Sequence, residues 1–276
     1  MRDQTDPVAG DTDTEQGDGP DLMLVNLSWP EVRDLQDDVE VVLIPVGAIE
    51  QHGPNLSLNF DIAHSTEVCR LVSQRLYPRV LVAPGPPFGV SFHHMRFPGT
   101  ISFSPATLSR VLLEIVGSLH AHGFERFLFV NGHGGNIAAL GVTVVDIQEA
   151  INPAFVGACS IHLMQDKAKW RDVHPDSGLA GHACEVETSV GMYLLPETVK
   201  ADTLAPGEFT PLHLGFRRTL SKFGAVVPYR FDQLTTNGAW GDATLSTPEF
   251  GRDLTNAAVT NISTLVEELI EASPLA

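Results

Sequence analysis

Lysine is scarce in this chain. Four residues (Lys167, Lys169, Lys200 and Lys222) stand against 34 carboxylates, and the formal net charge is −17. Such a balance offers no basic face for phosphates, which excludes a nucleic-acid binder. Long apolar runs are missing too: none approaches the roughly 18 residues of a membrane-spanning helix. The first residues are acidic and not a basic signal segment, so the expected location is the cytoplasm, with no membrane partner. Cysteine is limited to Cys69, Cys159 and Cys184, odd in number and without a CxxC pair. That pattern argues against a disulfide framework and leaves small, reduced core residues. Acidity with so little lysine resembles proteins of salt-rich cytoplasms, whose surface carboxylates keep them hydrated.

What is present is a core-forming chain, 43% hydrophobic. Residues 1–21 stand apart as a run of Asp, Glu, Gly, Thr and Pro, expected to be a disordered acidic tail because it cannot bury enough surface to offset chain entropy. From residue 22 to 276 one domain is expected. Val41 to Ile44, Val80 to Ala83, Phe124 to Val130 and Phe155 to Leu163 read as buried strands. Between them fall amphipathic helices: one from Ser28 with a capping box to Glu31, one over Ala63 to Leu76, and one opened by Ser104-Pro105. A helix starting near Val190 and a closing helix over Pro248 to Leu269 follow. Alternating buried strands and helices predict an α/β fold with a mostly parallel sheet covered on both faces.

The chemistry sits where those strands end. The first strand is expected to break at Pro45 and Gly47, delivering Glu50, Gln51 and His52 at once, with Asp61 nine residues after His52. The third runs into Asn131-Gly132-His133-Gly134-Gly135-Asn136, whose glycines permit close backbone approach while His133 points into a cleft. That loop matches neither nucleotide fingerprint, so a phosphate cradle is the weaker reading. His93 and His94 lie in an irregular segment and are equally readable as surface or site residues. His182, Glu185 and Glu187 precede a helix, where acidic residues also stabilise the amino end. Glu50, His52, Asp61, His133, His182 and Glu187 together exceed the three donors of a single catalytic zinc. An aspartate shared between two cations would account for the surplus.

As a set, these motifs resemble the creatininase family of metal-dependent amidohydrolases. The resemblance is carried by Gly47-Ala48-Ile49-Glu50-Gln51-His52-Gly53-Pro54, Asp61, Phe97-Pro98-Gly99-Thr100 and Asn131 to Asn136. His182-Ala183, Glu187-Thr188-Ser189 and Gly241-Asp242-Ala243-Thr244 complete it, in family order. It implies a single three-layer α/β/α domain holding one or two divalent ions (zinc, manganese or iron), a small-molecule substrate, and assembly into a homo-oligomer, in many relatives a hexamer. It also implies that Glu50, His52, Asp61 and His133 are metal ligands, with Asp61 bridging, and that His182 handles protons near the leaving group. His94, Gly134 and Gly135 are the expected substrate-side positions. The sequence departs from the creatinine-hydrolysing pattern in several places. Gly135 stands where that enzyme has a ligand glutamate, His93 replaces a glutamate beside His94, and Asn55 and Ser57 replace histidine and proline. Glu187 is the candidate for the missing donor and Glu185 its rival. The expected activity is hydrolysis of a non-peptide C–N bond in a cyclic amide or formamide. The alternatives are a non-catalytic small-molecule-binding protein and cleavage of another bond, C–C or in a precursor peptide.

Overall fold

In the computed structural model, which describes residues 19–166, 181–210 and 228–272, strand β1 (Val41–Val46) is buried at every position. It lies between β2 (Val80–Val82) and β3 (Arg126–Asn131), and β4 (Phe155–Ser160) follows β3, all parallel, in the order β2-β1-β3-β4. The helices are α1 (Trp29–Leu35), α2 (Phe60–Arg75), α3 (Pro105–His120), α4 (Ile137–Ile151), α5 (Ile161–Met164), α6 (Glu185–Leu194) and α7 (Pro248–Glu271).

The period of two along β1 builds the layers. Val42, Ile44 and Val46 pack with Phe127 and Phe129 against Leu108, Leu112 and Val116 of α3 and Leu140 and Ile147 of α4. Val41 and Leu43 turn the other way, with Leu128 and Val130, onto Val68 and Val72 of α2 and Ala258, Ile262 and Val266 of α7. The result is the expected α/β/α sandwich. Local signals hold the helix starts: Ser28 N–H donates to Glu31 Oε2 at 2.7 Å, and Ser104 Oγ accepts from Thr107 N–H at 3.1 Å.

Several boundaries differ from the sequence expectation, among them those of β1, β4, α2 and α6. β1 does not break at Pro45 but continues to Val46. The Leu43 carbonyl accepts from Ala83 N–H, so Pro45, two residues on, turns its missing N–H toward the same side, beyond the end of β2, where no partner is lost. β4 stops at Ser160 rather than Leu163, because its last pairing residue on β3 is Asn131; the chain then makes the single turn of α5. Helix α2 begins at Phe60, which places Asp61 in its first turn. Helix α6 begins at Glu185, five residues before Val190. Of the expected tail, residues 19–21 are described: Asp21 reaches Arg70 of α2 at 3.5 Å. The rest of the tail, residues 1–18, lies outside the described residues.

Candidate metal centre

β1 and β3 are hydrogen-bonded neighbours, so the loops leaving their carboxyl ends emerge side by side, where open α/β sheets place their sites. Gly47 lets the start of α2 press against the exit of β1: a Cβ there would lie 2.4 Å from Ile62 N and 2.6 Å from the Asp61 carbonyl carbon. Asn136 ties the loops together. Its Oδ1 accepts from Val90 N–H at 2.8 Å, and its Nδ2 donates to the Gly47 carbonyl at 3.0 Å. His182 is held from the far side by a two-way backbone pairing with Trp240.

These elements bring seven sequence-predicted residues into one buried cluster: Glu50, His52, Asp61, His94, His133, His182 and Glu187. Three of the histidines are set the same way. A ring nitrogen of His52 (Nδ1) lies 3.1 Å from the Glu50 carbonyl. His133 Nε2 lies 3.0 Å from the Val90 carbonyl, and His182 Nε2 lies 2.6 Å from the Gln51 carbonyl. A carbonyl only accepts, so each of those nitrogens carries the proton, and the opposite nitrogen presents its lone pair to the cluster in the neutral ring. Fixing the tautomer through a backbone carbonyl is the usual support of a metal-binding histidine.

The lone pairs face carboxylate oxygens. His52 Nε2 is 3.0 Å from Asp61 Oδ1, and His133 Nδ1 is 3.1 Å from Asp61 Oδ2. On its protonated side, His133 Nε2 lies 3.3 Å from Glu50 Oε2. His182 Nδ1 stands 3.7 Å from Glu50 Oε1 and 4.0 Å from Glu187 Oε2. Despite these approaches, Glu50 Oε2 and Asp61 Oδ2 are buried without a hydrogen bond of acceptable geometry. Where a bare ring nitrogen faces an Asp61 oxygen at such a distance, a proton or a metal cation must lie between the two acceptors. Four triads bring one donor atom each within 4.8 Å of one another: Glu50–His52–Asp61, His52–His182–Glu187, Glu50–His93–His133 and Glu50–His94–His182. Oxygen and nitrogen donors of this kind fit zinc, manganese or iron.

Without an ion, protons take that place. Burial opposes a charge on His52, but the Asp61 carboxylate and its hydrogen bond outweigh it and hold the ring up at about 9. His133 is raised well above its ordinary value against burial, by Glu50 and Asp61. Burial likewise raises Asp61 and Glu50, yet the adjacent imidazoles win and both stay lowered. Glu187 has less cationic compensation, and burial pushes it up to about 7. Burial and the charge on His52 push His182 down to about 3.

Other expectations meet different surroundings. Gly135 is cramped: an added Cβ would lie 2.2 Å from the Val90 carbonyl oxygen and 2.4 Å from His133 Nε2, whereas Gly134 is open. Glu185 is buried, but its Oε2 accepts from Asp242 N–H at 2.9 Å, and it joins no candidate triad among the described residues. Asp242, in the site-like Gly241–Thr244 patch, caps its own turn by accepting from Thr244 N–H at 3.0 Å. Sequence reasoning passed over His93 as a donor, which stacks on His133 with centroids 5.5 Å apart; its place beside His94 was the available signal. It also passed over Phe231, 4.4 Å from the His94 ring and 4.9 Å from His182, for which the sequence carries no cue.

A parallel α/β domain with clustered nitrogen and oxygen donors at the carboxyl end of its strands has the make-up of a metal-dependent hydrolase. The chain belongs to the creatininase family: the family model described as creatinine amidohydrolase matches residues 25–266. A mycofactocin precursor peptide peptidase of Mycobacterium ulcerans (strain Agy99) is 37% identical over 178 residues, 62% of this chain and 65% of that protein, just under two thirds of the relative. Creatinine amidohydrolase of Pseudomonas putida is 30% identical over 204 residues, 67% of this chain and 77% of that protein. Among solved structures, a creatinine amidohydrolase homologue from Bacteroides fragilis NCTC 9343 superposes with a TM-score of 0.78 at 26% identity, covering 92% of this chain and 98% of that one. A mutant creatininase of Zn-Zn type and a manganese creatininase give TM-scores of 0.76 and 0.74 at 26% identity, covering 92% and 91% of this chain and all of each neighbour.

Proposed function

We propose that this protein hydrolyses an amide C–N bond at a centre of one or two divalent ions held by Glu50, His52, Asp61, His133 and Glu187. The observation that carries this reading is Asp61, whose two oxygens each face the lone pair of a different, backbone-anchored imidazole. A divalent ion bound there would supply Lewis-acid activation of water and of the substrate carbonyl. Glu50 and Asp61 provide fixed negative charge, and the dry surroundings keep that charge effective. His182 offers only Nδ1 to the cluster, so a proton passed to the departing nitrogen travels through that atom. Glu187, which also accepts from Ala183 N–H at the start of α6, takes the coordination place that Gly135 cannot fill.

The substrate is proposed to be a cyclic amide or a formamide. A second reading, cleavage of a short peptide, is favoured by the higher identity to the mycofactocin precursor peptide peptidase (37%) than to the creatinine amidohydrolase (30%). Protein loaded separately with zinc, manganese and iron should hydrolyse at least one member of a panel of lactams, formamides and short peptides, and Asp61→Ala should lose both metal and turnover. Normal turnover in Asp61→Ala and His133→Ala would end the reading. The panel member cleaved decides between the two substrates.

A further inference from the structure

Gln51, between two of the proposed ligands in the chain, has three partners for its side chain. Its Oε1 accepts from Gly53 N–H at 2.8 Å, and its Nε2 donates to the Gly238 carbonyl at 3.0 Å. One partner is a backbone donor and the other a backbone acceptor, so the amide has one orientation; the reverse would set donor against donor and acceptor against acceptor. The same Nε2 lies 2.7 Å from His94 Nδ1. Its second proton must therefore point at a lone pair, and His94 carries its own proton on Nε2. That N–H faces the cluster, 3.4 Å from Glu50 Oε1. The main-chain carbonyl of Gln51 does the opposite to His182: it takes the Nε2 proton at 2.6 Å and leaves Nδ1 bare. All three residues are buried, and the His94 and His182 rings lie 4.5 Å apart.

We infer that Gln51 is a positioning residue that sorts these two histidines into opposite characters, His94 a hydrogen-bond donor to the substrate's carbonyl oxygen and His182 an acceptor. This removes His94 from the ligand set, although it stands within coordinating range of Glu50 and His182: a nitrogen that carries a proton cannot bind a cation. A fixed neutral donor beside the proposed centre is suited to the negative charge that grows on an amide oxygen as it becomes tetrahedral, and it needs no reorganisation at that moment. The inference rests on the amide-hydrolysis reading above, but its structural half does not depend on turnover.

The test uses the full chain, loaded with zinc and labelled with ¹⁵N-histidine, with ring protonation read from long-range ¹H–¹⁵N correlations. His94 should show a protonated Nε2 and a bare Nδ1. In Gln51→Glu the carboxylate can only accept, so the His94 proton should move to Nδ1. On whichever amide the protein cleaves, kcat should fall about 10²–10³-fold, the typical loss of one oxyanion donor, with KM and zinc content near the parent's. His94→Ala should show the same kinetic loss with full zinc content, and His94→Gln, which keeps an N–H donor, should recover part of it. A wild-type His94 protonated on Nδ1, or zinc lost in His94→Ala, overturns the inference. If the zinc-loaded protein cleaves no amide, the proposed function fails, while the tautomers and zinc counts still decide this one. Should Gln51→Glu not fold, the wild-type tautomers and His94→Ala suffice.

Discussion

Gly135→Ala adds a single methyl at a crowded point of the centre. The new Cβ would lie 2.2 Å from the Val90 carbonyl oxygen, 2.4 Å from His133 Nε2 and 2.9 Å from His93 Cε1, where ordinary contact begins near 3.4 Å. One neighbour is backbone and another is a ring held at 3.0 Å to the Val90 carbonyl and 3.1 Å to Asp61. Nothing at the site is a flexible chain end, so the His133 ring or its loop must yield by about 1 Å. Overpacking of this kind costs about 1–3 kcal/mol, a drop of several degrees in Tm for a chain of this size. The effect on chemistry is larger, since a 1 Å misplacement is worth about 10²-fold in rate. Zinc content by atomic absorption, Tm by calorimetry and kcat on the best amide form the assay: a modest Tm loss with a kcat loss of about 10²-fold or more is expected. Glu at this position, the creatinine-type residue, should fare worse and not confer creatinine hydrolysis. A Gly135→Ala protein with parental zinc content and kcat would refute the claim that close approach at Gly135 sets His133.

Glu187→Gln should lose metal affinity and activity while Glu185→Gln keeps both, because Glu185 is committed to Asp242 N–H; the reverse result would move the assignment by two residues. His182→Ala should retain metal but lose about 10²–10⁴-fold in rate, and loss of metal with rate would make it a ligand. Zinc affinity should rise between pH 6 and 8 by about 10- to 100-fold per unit, for one or two protons displaced, because His52 (about 9) and His133 are held protonated without the ion; a flat titration would take both from the ligand set. The metal-free protein should lose stability as pH climbs from about 6.5 through 9, since a raised histidine pKa stabilises the fold only while the proton stays bound. Deleting residues 1–18 should leave Tm and activity unchanged, and a collapse of either would show that the tail docks.

The layers of the sandwich were legible because a strand buried on both faces writes itself as Val41-Val42-Leu43-Ile44, and because Ser28 and Ser104 sit where caps are needed. Pro45 misled, since a sequence shows the missing N–H but not that β2 ends at Val82 and asks nothing of it. The start of α6 was hidden for a related reason. Glu185 to Gly191 are all buried, so the segment has no polar stripe to mark the helix, and its carboxylates resemble a first turn more than a core. Candidate donors could be named from their residue types and their positions after strands. Their sorting could not, because it depends on partners distant along the chain: Gly238 orients Gln51, and Gln51 reaches His94 and His182.

Because the proposed ligands come from the exit of β1, the first turn of α2, the exit of β3 and the start of α6, a captured ion joins residues 50 through 187 into closed rings of chain. No local peptide reproduces that arrangement; the site comes into being only when β1 and β3 have paired, a long-range event in folding. On the proposed ligand set, metal uptake would be a late step of maturation, and the ion would act as a seal on the chain between the two strands. At 100 times its dissociation constant it adds about 2.7 kcal/mol to the free energy of unfolding. Chelation would then weaken the hold between the halves of the sheet, and protease sensitivity should spread from the loops around Glu50 and His133 into the strands behind them.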